Sequence, residues 1–92
     1  MAKKTVLVRY YGKVQGVGFR ATVRGIAQPF DLKGWVKNEA GGSAQLIVTA
    51  EAAEIEAFLK AIRASRLGGN IEREVQESSV NIGELKGFEV RS

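Results

Sequence analysis

The chain has 92 residues, 45% of them hydrophobic and 26% charged, which is enough for one domain of ordinary globular composition and no second core. It contains no cysteine and no histidine, which excludes a disulfide framework, thiol or Ser-His-Asp nucleophiles, and zinc held by Cys or His. The net charge of +4 is unevenly spread: residues 1–40 carry eight basic and two acidic side chains, residues 41–92 six and eight, so a field that attracts anions belongs to the first half.

Thr5 to Tyr11, rich in β-branched and aromatic residues, predicts a strand, with Tyr10 and Tyr11 packing on opposite faces. Gly12 to Gly18 carries three glycines in seven residues and predicts a loop. Val23, Ile26, Ala27 and Phe30 then recur at helical spacing. Pro29 disfavours helical backbone at Gln28, so Phe30 is expected past the helix end. Lys33 to Asn38 and Ala44 to Thr49 predict two strands joined by a turn at Gly41-Gly42. Trp35 is expected in the core or facing a helix. Glu51 to Arg66 predicts a second helix with an apolar stripe of Ile55, Phe58, Leu59 and Ile62, stopped by Gly68 or Gly69. Ile71 to Ser78 and Gly87 to Arg91 predict a fourth and a short fifth strand. This order predicts an α+β ferredoxin-like sandwich, two helices on one face of a mostly antiparallel four- to five-stranded sheet, as a single domain over residues 1–92.

No apolar run approaches the roughly 20 residues of a membrane span. Met1 to Lys4 lead directly into a strand-like run, without the apolar core of a signal peptide. The expectation is a cytoplasmic protein with no membrane contact.

The stretch Gly12-Lys13-Val14-Gln15-Gly16-Val17-Gly18-Phe19-Arg20 joins a strand to a helix. Helix N-termini leave backbone N–H groups unpaired and favour negative charge, and glycines let the preceding backbone curl so that its N–H groups converge. The N–H groups of Gln15, Gly16, Val17, Gly18, Phe19 and Arg20 are thus candidates to hold a phosphate. The Arg20 guanidinium, in the first helical turn, is suited to clamp its oxygens. The spacing fits neither a Walker loop nor a dinucleotide fingerprint; the plainer alternative is a tight turn. A second candidate is Asn38, at the end of Gly34-Trp35-Val36-Lys37-Asn38. Its amide can accept from and donate to a water at once, or it simply begins the turn.

Both stretches resemble the signatures of the acylphosphatase family: a Val-Gln-Gly-Val-Gly-Phe-Arg loop, then Gly-Trp-Val-x-Asn. They stand in the family's order, and the element order matches along essentially the whole chain. The resemblance implies hydrolysis of carboxyl-phosphate anhydrides, such as acetyl phosphate, to a carboxylate and inorganic phosphate. It also implies that Arg20 and the loop N–H groups bind the phosphate and that Asn38 positions the attacking water, with no metal, no cofactor and no phosphoenzyme. Expected partners are the acyl phosphate substrate and the phosphate product, without nucleic acid, and the expected state is a monomer. The chain departs from the family pattern at Asp31, where glycine is usual, at Pro29, which shortens the first helix, at Gly41-Gly42 and Gly68-Gly69, and at Glu39. Neighbouring strand residues face opposite sides, so the Glu39 carboxylate is expected to point away from Asn38.

Two other readings use the same elements. RNA-recognition motifs share the order, and the sequence pI is about 9.7. Their stacking aromatics, however, lie on the third strand, where Gln45 to Thr49 has none. A non-catalytic interaction domain on the same fold is the other.

Overall fold

Alternation along the first strand decides which side of the sheet is covered. The computed structural model describes residues 3–16, 18–78, 85 and 87–91. In β1 (Lys3–Gly12), Val6, Val8 and Tyr10 point into the core, while Arg9 and Tyr11 face the other side. β2 (Lys33–Asn38), β3 (Ala44–Glu51), β4 (Ile71–Ser78) and β5 (Phe88–Arg91) complete one sheet in the order β4-β1-β3-β2-β5. β3 runs antiparallel to both β1 and β2, β4 runs antiparallel to β1, and β5 runs parallel to β2. α1 (Phe19–Ala27) and α2 (Ala52–Ala64) bury Phe19, Val23 and Ala27, and Ile55, Phe58, Leu59 and Ile62, in one core with the inward strand residues. This is the ferredoxin-like arrangement, with a fifth strand added at the β2 edge.

Two aromatic clusters fix the core. Phe58 of α2 meets Phe30 at 5.7 Å and Phe88 at 5.8 Å between ring centroids, so Phe30, past the end of α1, packs as expected and β5 is tied to the helical layer. Tyr10 meets Phe19 at 5.3 Å, joining the end of β1 to the start of α1. Gly34 is required by close packing, because a Cβ there would overlap the Ile47 carbonyl. The turn between β2 and β3 uses the positive φ of Gly41 and Gly42.

Three expectations are corrected. β1 and β3 run beyond their predicted ends, since their pairing continues to Lys3 opposite Glu51. α2 stops at Ala64, because Ser65 is extended and its Oγ both donates to Ile62 O and accepts from Leu67 N. Gly68 and Gly69 therefore lie within a following 3₁₀ turn (Arg66–Asn70), which inserts Leu67 into the core. Trp35 is neither core nor helix-facing. It shares with Arg9 and Tyr11 the face opposite the helices, where Lys37 Nζ and Arg91 Cζ lie 5.2 and 5.0 Å from its ring. Tyr11, on the same face, is covered by Arg73 at 4.4 Å.

The Tyr10 hydroxyl is buried without a hydrogen-bond partner among the described residues. Burial first, and then the Glu74 carboxylate, push its pKa above the ordinary value of 10.0, against the opposing Arg63. Burying an unpaired hydroxyl costs about 1–3 kcal/mol, and its removal at constant shape is neutral or stabilising. Tyr10→Phe is expected to raise the melting temperature by about 4–8 °C for each kcal/mol of that cost it recovers. Because the folded hydroxyl holds its proton more tightly than the unfolded one, stability is flat below pH 10.0 and falls as alkali ionises the unfolded tyrosine. The variant's stability should thus fall less steeply than wild type's above that pH in calorimetric melts.

Candidate active site

Chain direction brings the candidate residues to one end of the sheet. β1, β2 and β5 all run the same way, so the loop after β1, Asn38 closing β2 and Arg91 closing β5 meet at their common C-terminal end. α1 begins there as well.

The loop hangs between two buried side chains, Val14 at its entry and Phe19 at its exit. Between them Gly16 and Gly18 have φ of 77° and 75°, a left-handed backbone that costs other residues more. Gly18, the N-cap of α1, has no side chain to cap the helix; among the described residues no cap bond is made there and the first turn holds no acidic residue. The first helical N–H groups are therefore open to an external acceptor. Val17 lies outside the described residues, and with it the predicted N–H donor at that position.

A cleft of about 210 Å³ is lined by Val14, Gly16, Gly18, Phe19, Arg20, Ala21, Asn38 and Val90. That is well above the roughly 10–15 Å³ a single water needs. It brings together Gly16, Gly18, Phe19, Arg20 and Asn38 from the sequence prediction. Gln15 is not among its lining residues. Asn38 Oδ1 is buried with no hydrogen-bond partner among the described residues. A buried amide oxygen left unpaired is costly, and this one belongs to a residue of the cleft wall. Arg20 donates from Nη1 to Arg91 O at 2.8 Å, which fixes the guanidinium while four of its five donors are not used in that bond. The Glu39 carboxylate points away, as expected. It meets Arg9 Nε at 3.3 Å and accepts from Ser43 Oγ at 3.1 Å, on the face that Arg9 shares with Trp35.

Sequence reasoning used Gln15 only for its backbone N–H and missed its side chain. Gln15 Nε2 donates to Glu39 O at 2.7 Å and Ser43 O at 2.9 Å. The loop from β1 thereby reaches across the start of β3 to the turn that follows Asn38, a span of about 10 Å at ordinary strand spacing. Val90 and the Arg91 carbonyl were also missed. The pairing of β5 beside β2 is a long-range fact that no local pattern encodes.

Residues 6–90 match the family model for acylphosphatase. The chain belongs to the acylphosphatase family, hydrolases of acyl phosphates. It is 35% identical over 91 residues to an acylphosphatase of Listeria monocytogenes, covering 98% of each chain. It is 45% identical over 62 residues to one of Lactobacillus gasseri, covering 67% of this chain and 68% of the relative. The solved structure of an acylphosphatase from Coxiella burnetii superposes with a TM-score of 0.83 at 29% identity, covering 97% of this chain and 93% of that one.

Gln15→Met keeps the length of the side chain and removes both bonds between the loop and the β2–β3 turn. Because small misplacements in a positioned site cost up to about a hundredfold, kcat on benzoyl phosphate is expected to fall by between about ten- and a hundredfold. Circular dichroism should show the fold retained.

Proposed function

We propose that this acylphosphatase holds the phosphoryl group of its substrate with Arg20 and the N–H groups of Gln15 to Arg20, and that Asn38 positions the water that attacks it. The observation carrying this reading is that one cleft is walled by Gly16, Gly18, Phe19, Arg20 and the buried, unpartnered amide oxygen of Asn38. The left-handed glycines and the uncapped start of α1 supply an electropositive backbone edge beside a guanidinium, as a phosphoryl dianion requires.

In the reaction a water oxygen attacks phosphorus opposite the acyl oxygen. The P–O bond to the acyl group breaks, its electron pair leaves on the carboxylate, and inorganic phosphate forms. A carboxylate leaves without a general acid, so the work falls to positioning and charge stabilisation. Asn38 accepts from the water at Oδ1. The attacking water's proton passes to a phosphoryl oxygen of the substrate, since the chain has no histidine or cysteine and the nearest carboxylate in sequence, Glu39, is engaged with Arg9 and Ser43. Residues 1–92 act as one domain in this reading, as a cytoplasmic monomer. No helix among the described residues is long and apolar enough to cross a membrane.

Loss of ultraviolet absorbance during benzoyl phosphate hydrolysis measures the activity. Arg20→Gln should lower the rate at least a hundredfold, the usual cost of losing a preorganised charge-stabilising donor, and should weaken competitive inhibition by phosphate. Asn38→Ala should lower kcat while leaving phosphate inhibition nearly intact; full turnover in this variant would end the water-positioning role. Turnover should persist in a chelator.

A further inference from the structure

The 3₁₀ turn touches the glycine loop at both ends. At the entry, Lys13 N donates to Asn70 O at 2.9 Å, and that carbonyl occupies the space a Cβ on Gly12 would need. At the exit, Arg66 donates from Nη2 to Thr22 Oγ1 at 2.8 Å, and the same nitrogen lies 3.3 Å from where a Cβ on Gly18 would sit. Leu67, between these contacts, is buried in the core, and Ser65 Oγ accepts from its N–H. The turn is thus a fixed strap laid along the loop.

Arg66 is not among the residues lining the cleft. It stands against the start of α1, where Thr22 N closes the first helical hydrogen bond onto Gly18 O at 2.9 Å. A cation at a helix N-terminus opposes the helix dipole, which favours cations at the other end. An anion in the loop would be attracted by the helix end and the guanidinium together.

We propose that Arg66 is a positioning residue for phosphate binding. It holds the exit of the loop and the N-terminus of α1 in the arrangement that receives the phosphoryl group, and its charge adds to the attraction without touching the substrate. The proposal rests on the loop being the phosphoryl site.

The test compares Arg66→Met, Arg66→Lys and Thr22→Val with wild type in steady-state hydrolysis of benzoyl phosphate, competitive inhibition by inorganic phosphate, and thermal melts. Arg66→Met should raise KM and the phosphate inhibition constant together, by about five- to tenfold, as expected for a charged hydrogen bond near the surface. Its kcat should stay within about twofold, because the Gln15 bonds that set the loop against the Asn38 turn remain in place. Arg66→Lys keeps the charge and should restore part of the loss. Thr22→Val, which keeps the guanidinium, should shift the same two constants in the same direction by at least about twofold, and it carries the test if Arg66→Met does not fold. Phosphate inhibition unchanged in Arg66→Met, whatever its melting temperature, would overturn the proposal; so would an unchanged constant in Thr22→Val if only that variant folds. A wild-type chain that neither hydrolyses benzoyl phosphate nor binds phosphate would instead overturn the reading of the loop, and the proposal with it.

Discussion

An uncapped helix start governs this molecule. Gly18 precedes α1 in a left-handed conformation with no side chain to offer, and no acidic residue stands in the first turn. The unpaired N–H groups at such a terminus call for an acceptor from outside the helix. α2 differs in carrying Glu54 in its first turn, which complements its dipole from within the chain. The two helices pack on the same sheet face, but the start of α2 lines its cleft with Glu51 and Glu54, whereas the start of α1 lines its own with glycines and Arg20.

Keeping that end open without losing its shape takes several tethers from distant parts of the chain. Val14 and Phe19 sink the two ends of the loop into the core, with Phe19 against Tyr10. The Gln15 amide reaches the β2–β3 turn, Asn70 meets Lys13, and Arg91 O receives Arg20. Each tether leads to a different element, so the geometry of the cleft summarises the packing of the whole sheet edge. The direction of the strands makes this economical, since the ends of β1, β2 and β5 and the starts of β3 and β4 lie side by side.

Much of this was legible locally. Alternation in β1, the helical stripe of α2 and the glycine spacing before Arg20 are short-range patterns, and they located the elements and most of the cleft wall. The limits of α2 were misread because Ser65 ends the helix through its own hydroxyl before the glycines arrive. Trp35 was misplaced because size and apolarity suggest burial among the helices, whereas its strand parity puts it on the opposite face, sheltered by Lys37 and Arg91. The side-chain role of Gln15, the contribution of β5 and the contact of Arg66 with α1 stayed hidden for one reason. Each joins residues far apart in sequence, and only the folded register brings them together.

Arg91 serves both faces of the sheet, with its carbonyl on Arg20 and its guanidinium against Trp35. It belongs to β5, which follows every other element along the chain. Fraying of this one edge strand would release the cleft's arginine and bare the indole together, so the readiness of the site follows the hold of β5 on β2.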